Sequence, residues 1–209
     1  VVQAYWKPIY KYLRIKWNLS SEDAQDATQG FLTLAFEKRY FEAYDPSKGR
    51  FRTFARVCVD RFVAKERKAA LAIKRGGSTR LVSLDFESAE GELRQIDVPD
   101  PKDLDELFRR EFVRELFAIS LNTVRDELHA EGKELQFRVF ERYDLEPAEH
   151  VTYATVAGEF EIPPTQVTNY LAAVRRRFRT CLLRTLQAAS PTESDYQTDA
   201  RELLGVEVP

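Results

Sequence analysis

Between Thr165 and Arg179 the chain gathers side chains that can read nucleic acid: Thr165, Gln166, Thr168, Asn169, Ala172, Ala173, Arg175, Arg176, Arg177 and Arg179. Asn and Gln can pair with two positions on adenine, Arg with two on guanine, and an alanine methyl can touch that of thymine. A second set, Lys48, Arg50, Phe51, Arg52, Arg56 and Arg61, combines cations with an aromatic ring, chemistry suited to phosphates and unstacked bases. Within it Phe51 is expected to pack inward. A third set, Glu22, Asp26, Gln29, Thr33 and Phe36, recurs at steps of four, three, four and three. That spacing shares one side of a helix, and acids beside an aromatic suit a basic partner. Any one such run, taken alone, is most often a solvated helix face. The sequence has no glycine-rich phosphate loop, no metal-ligand spacing and no nucleophile set beside either histidine. No catalytic residue, metal ligand or cofactor is therefore assigned, and a non-enzymatic binding protein is expected.

Helices must position these side chains, because no alternating run is long enough for a sheet and the periodicity is helical almost throughout. The fold class expected is all-α. Val2, Tyr5, Ile9, Leu13 and Trp17 form one apolar stripe, with Pro8 expected to bend its helix. Ser20 with Asp23 reads as a capping box opening a second helix, which turns Ala24, Ala27, Phe31 and Leu34 inward. Asp45-Pro46-Ser47-Lys48-Gly49 is a turn. Phe51, Phe54, Cys58 and Phe62 make the buried stripe of a third helix, with Arg52, Arg56 and Arg67 on another face. Leu104, Phe108, Phe112 and Leu116 open a long helix ending near Gly132, and Leu135, Val139 and Tyr143 suggest another. Beyond Pro147, a short helix carries Val156, Ala157 and Phe160 inward. A tight turn at Glu161-Ile162 follows, and Pro164 begins a second helix with a packing stripe of Val167, Leu171, Val174, Phe178 and Leu182. This is helix-turn-helix spacing, and Thr165, Gln166, Asn169, Ala172, Ala173 and Arg176 of the nucleic-acid set lie opposite that stripe.

The chain has 209 residues, an apolar fraction of 44% and a net charge of -2, so one or two packed domains are expected. The charge is segregated: residues 48–80 carry eleven basic against two acidic residues, and residues 81–106 nine acidic against two basic. Cys58 and Cys181 lie far apart, which points to reduced thiols and a cytoplasmic location. No stretch is apolar enough to span a bilayer, so no membrane insertion is expected. Val1 stands inside a helical pattern and the sequence contains no methionine, so the natural start is expected upstream. The expected organisation is a helical domain over 1–76, an acidic flexible linker over 77–103, a helix-turn-helix domain over 104–187 and a tail over 188–209. The linker's acidity suits a plain tether, or a mimic of nucleic acid that occupies a partner's basic faces or the protein's own. For the tail, a short helix around Ala200 to Leu204 is expected, either packing on the protein or acting in regulation.

Several motifs carry a family resemblance. Tyr5-Trp6-Lys7-Pro8, the run from Leu19 to Gln29, the run from Tyr44 to Phe54 and the exit Lys74-Arg75-Gly76-Gly77 resemble region 2 of bacterial sigma factors of the extracytoplasmic-function (ECF) subfamily. The segment from about Phe108 to Leu186 resembles their region 4. The resemblance implies two helical domains joined by the acidic linker, and a role in bringing RNA polymerase core to promoters and opening DNA. It implies docking of the second helix, through Asp26, Gln29 and Thr33, on the clamp helices of the polymerase's largest subunit. The flap is a further polymerase contact, and promoter DNA a second partner. The loop from Lys48 to Phe54 would capture a base of the minus-ten element, and Thr165 to Arg179 would read the minus-thirty-five element. An anti-sigma factor or other regulator is a further partner that such proteins have. The sequence departs from the family pattern at Gly30, where an acid is usual, at Arg61, where Asn or His is frequent, and at Glu161, where the turn commonly has glycine. A stand-alone helix-turn-helix transcriptional regulator is the alternative, which explains the C-terminal half alone.

Overall fold

The computed structural model describes residues 2–37, 40–70, 84–94, 103–146 and 151–208. The described residues form helices and turns with no strand, the all-α class expected. They divide into two units, Val1–Glu115 with Leu186–Pro209, and Leu116–Thr185. The expected boundaries at 104 and 187 thus move, because the division falls inside two long helices.

In the first unit, helix α1 (Val2–Lys16) is buried nearly all round rather than along one stripe; Ala4, Tyr5, Trp6, Pro8, Ile9, Tyr10, Lys11, Tyr12 and Leu13 are inaccessible. Amphipathic side chains permit this when their bodies pack and their polar tips find partners. The Tyr12 hydroxyl donates to Asp60 at 3.0 Å, that of Tyr10 to Glu90 at 2.6 Å, and Trp17 Nε1 to Asp60 at 2.9 Å. Lys11 Nζ reaches Glu111 at 2.6 Å and Glu92 at 2.5 Å. Tyr5 meets the rings of Phe51 at 5.4 Å and Phe112 at 4.8 Å.

Helix α2 (Ser21–Glu37) starts as expected, with Ser20 Oγ accepting from the Asp23 amide at 3.1 Å. Ala24, Thr28, Phe31, Leu32 and Ala35 are its buried residues, and Ala27 and Leu34 are half-buried. Two 3-10 turns, Tyr40–Ala43 and Pro46–Lys48, lead into α3 (Phe51–Ala70). The buried line of α3 is Phe51, Ala55, Val59 and Val63, with Phe54, Cys58 and Phe62 half-buried beside it.

The segment expected to be a flexible linker contains α4 (Phe86–Leu93). Its Phe86 and Ala89 are buried, and Phe86 lies 5.3 Å from the Trp6 ring. Glu90 pairs with Arg14 at 2.7 Å and Glu92 with Lys7 at 2.9 Å. The spacing of Lys7, Lys11 and Arg14 sets three cations on one side of α1, so acids that a tether would expose to water are neutralised there instead. Residues 71–83 and 95–102, the rest of that linker and the Lys74 to Gly77 exit, lie outside the described residues.

Helix α5 (Leu104–Ala130) gives Leu107, Phe108 and Phe112 to the core of the first unit. The tail carries α9 (Glu193–Leu204), longer than the helix expected, capped by Thr192 and packed into the first unit through Tyr196 and Ala200. The second unit has the remainder of α5, α6 (Glu134–Phe140), one wider turn over Glu141–Leu145, α7 (Tyr153–Glu159) and most of α8 (Pro164–Ala189). Its core joins Val124, Leu128, Phe137 and Phe140 to Val156, Val167, Leu171 and Val174.

The buried Lys11–Glu111 pair yields a stability prediction. Lys11→Met alone leaves the buried Glu111 carboxylate with, among the described residues, only the exposed Arg114 beside it, at 2.9 Å, and should lower the unfolding free energy by roughly 3 kcal/mol. Lys11→Met with Glu111→Leu should lose less than half of that, as urea unfolding at neutral pH will show.

Candidate nucleic-acid interface

The α7–α8 pair is closed by a turn that works without glycine. Thr152 Oγ1 caps α7 by accepting from the Thr155 amide at 3.1 Å. At its other end Ile162 N–H donates to the Ala157 carbonyl at 3.0 Å and Glu161 N–H to that of Gly158 at 3.4 Å. These bonds require a left-handed residue between them, and Glu161 supplies it, with φ of 54°. Phe160 and Ile162 pack against the core of the unit. Pro164 then opens α8, as expected, where a missing amide leaves no bond unmade.

On α8, Val167, Leu171 and Val174 are buried, while Thr165, Thr168, Asn169, Ala172, Ala173, Arg175, Arg176 and Arg179 are exposed and Gln166 and Arg177 half-buried. The face expected to meet DNA is therefore assembled on one helix, but its members differ in what already holds them. Arg175 donates twice to Asp144, at 2.8 and 2.7 Å, which keeps its pKa above the ordinary arginine range. Arg177 pairs with Glu131 at 2.6 Å, and together with Lys133 it holds that carboxyl down to about 2. Gln166 donates to the Tyr170 hydroxyl. The side chains of Asn169, Arg176 and Arg179 have no hydrogen bond or ion pair among the described residues. Beyond them Ala173, Arg176, Arg177, Thr180 and Arg184 line a shallow cleft of about 370 Å³ with Glu127 on its far wall. Exposed pairs of this kind contribute little stability, so a phosphate can replace either carboxylate.

The second set lies in the first unit and is not an open face. Lys48 and Arg61 are exposed, and Lys48 sits 3.1 Å from Asp45. Phe51 is a core residue, in edge contact with Tyr44 at 5.1 Å and Phe41 at 5.3 Å. Arg52, expected on an accessible side of α3, is only 7% exposed, and its Nη1 lies 2.5 Å from Asp199. Arg50 reaches Glu202 at 2.5 Å. Arg56 is half-buried against Tyr12 and pairs with Asp60 at 3.5 Å and with Asp105. Reading the sequence one helix at a time missed Tyr44, Asp195, Asp199 and Glu202. Their signal was the spacing of the three acids, which places them along one side of α9.

Of the third set, Glu22 and Asp26 are exposed with no ion pair among the described residues, and Gln29 and Thr33 are half-buried. The Phe36 side chain lies outside the described residues. Gly30 does not share this face: a Cβ there would stand 3.3 Å from Phe62 Cζ, so the small residue lets α3 approach. Among the described residues no acid, histidine and cysteine cluster could hold a metal, and no helix is long and apolar enough to cross a membrane. Both cysteines are free thiols. Neither family models nor curated proteins nor solved structures match the chain.

The turn gives a prediction of its own. Glu161→Gly should raise the stability of the protein by up to ~1 kcal/mol, since a side chain in the left-handed region is disfavoured by about that amount. Glu161→Val should lower it by ~1–2 kcal/mol, with thermal and urea unfolding as the measurements.

Proposed function

We propose that this chain is an ECF-type sigma factor, a non-enzymatic cytoplasmic protein that brings RNA polymerase core to specific promoters and assists DNA opening. One observation carries the reading: α8 is the second helix of a helix-turn-helix, with Asn169, Arg176 and Arg179 exposed and unpaired among the described residues above a buried Val167, Leu171 and Val174. On this reading α8 enters the major groove of the upstream element. Asn169 pairs with adenine and Arg176 with guanine, while Arg175, Arg177 and Arg179 meet phosphates. The segment from Lys48 to Arg56 meets the strand opened at the minus-ten element. The exposed acids of α2 dock on the clamp helices, with the flap as a second polymerase contact and an anti-sigma factor or other regulator controlling access. The chain supplies recognition alone, and the polymerase supplies the chemistry.

A stand-alone helix-turn-helix regulator is favoured by a different observation, namely that carboxylates of the same chain hold Arg50 and Arg52 whereas α8 is open. Polymerase separates the two readings. Purified core polymerase should bind the protein, and Asp26→Lys with Gln29→Ala should weaken that binding at least tenfold while helicity and melting are retained. Absence of binding by the wild-type chain would leave the regulator as the better reading. Equal binding by the folded double variant would remove α2 from the interface.

The α8 assignment is checked separately. Asn169→Ala and Arg176→Ala should each reduce discrimination between a cognate and a scrambled upstream element by roughly 1–3 kcal/mol. Polymerase affinity should be unchanged, and unaltered discrimination in both variants would overturn the assigned reading face.

A further inference from the structure

Asp195, Asp199 and Glu202 recur at steps of four and three along α9, so their carboxylates form one row on its side. Two of them face inward, with Asp195 5% and Asp199 6% exposed. A carboxylate is not buried for the sake of packing, since each must be compensated by a donor or a cation. Asp195 has one partner within its own helix cap, the Thr192 hydroxyl at 2.6 Å, and the compensating groups from outside α9 all come from one short segment distant in sequence. The Tyr44 hydroxyl donates to Asp195 at 2.5 Å, Arg52 lies 2.5 Å from Asp199, and Arg50 reaches Glu202 at 2.5 Å.

Arg50 and Arg52 are among the residues that the proposed function gives to the opened DNA strand, and Tyr44 lies a few positions before them. A row of negative charges, spaced a few ångströms apart as on a nucleic-acid strand, already occupies them. We propose that α9 is a built-in acidic competitor: it covers Tyr44, Arg50 and Arg52, and a single strand reaches them only when α9 leaves. This rests on the reading of that segment as a nucleic-acid contact.

The contact is built to be exchanged rather than to be permanent. Arg52 and Asp199 are both almost closed off from water where they meet, each 9% exposed in its side chain, so both charges have given up their hydration to form the pair. Burial pushes the Asp199 carboxyl above the ordinary aspartate range despite the neighbouring arginine. A pair whose desolvation outweighs its attraction holds its helix weakly. The Arg50–Glu202 pair is 43% and 47% exposed, and contacts at that exposure are readily screened or replaced. What anchors α9 is the apolar burial of Tyr196 and Ala200. The acid row therefore selects what lies on the segment more than it secures the fold. For the linker the sequence left open a plain tether or such a mimic; its acids Glu90 and Glu92 pair with Lys7, Lys11 and Arg14, cations of the chain's own α1.

The test uses the full chain and a fluorescein-labelled single-stranded oligodeoxynucleotide, read by anisotropy at low salt. Asp199→Asn with Glu202→Gln should bind at least fivefold more tightly than wild type, and adding Arg50→Ala and Arg52→Ala should abolish the gain. Glu66→Gln with Glu87→Gln, which removes the same charge from exposed positions elsewhere, should give no gain. An unchanged affinity for the α9 variant, or an equal gain for the charge control, overturns the competitor. If binding is unchanged in the α9 variant but falls on loss of Arg50 and Arg52, the nucleic-acid reading of the segment survives without it. If loss of those arginines changes nothing in either background, that reading fails as well. Hydrogen exchange on the wild-type chain supplies a second arm that needs no α9 variant to fold. The α9 amides should lose protection when the oligonucleotide saturates the protein, and undiminished protection overturns the proposal.

Discussion

A lysine ammonium closed off from water sets the terms on which the first unit assembles. Lys11 is 1% exposed in the middle of α1, and a charge in that position is tolerated only with opposite charges beside it. Glu111 supplies one from α5 and Glu92 another from α4. Meeting this requirement draws both helices onto α1, and the apolar contacts follow. Phe86 comes to Trp6 and Tyr10, and Phe108 and Phe112 to Tyr5 and Tyr12. The aromatic packing provides most of the burial, but the ion cluster decides which helices may provide it.

The same requirement governs which cations a partner can meet. In the first unit Lys7, Lys11 and Arg14 are committed to α4, Arg56 to Asp60 and Asp105, and Arg50 and Arg52 to α9. In the second unit Arg175 and Arg177 are committed, while Arg176 and Arg179 have no partner among the described residues. A count of basic residues along the chain therefore overstates the charge on offer in the first unit. What an anionic partner would encounter is set by which carboxylates yield.

The sequence made the helices and their caps legible because those depend on neighbours in the chain. Ser20 with Asp23, the turn from Asp45 to Gly49 and Pro164 at the start of α8 are all local arrangements. The exposed face of α8 followed from its buried stripe by the same reasoning. What escaped was every feature set by residues far apart. Arg52 looked accessible because its partner Asp199 lies on another helix near the C-terminus, and the linker looked flexible because α1's cations lie some eighty positions earlier, as from Lys7 to Glu92. The acids of α9 were visible as a spacing, but nothing in the sequence said which cations they would find. Glu161 is the reverse case: the residue type argued against the turn, and the bonds from Ile162 and Glu161 hold it in place regardless.

On the proposed reading, the two kinds of cation would contribute differently to binding nucleic acid. An open arginine such as Arg176 gains a phosphate and releases a counterion, so its contribution is large at low salt and falls as salt rises. An arginine already held by Asp199 or Glu202 exchanges one anion for another. The number of paired charges is unchanged, little counterion release drives the step, and the net gain is the difference between two similar attractions. The open face of α8 would then supply affinity, while the covered segment supplies a threshold. A strand displaces α9 only if it offers something the carboxylates lack, and an unstacked base beside Phe54 and Tyr44 is one such addition. A duplex keeps its bases stacked and offers phosphates alone. On that reading the cover would discriminate opened from closed DNA through what the acids cannot imitate.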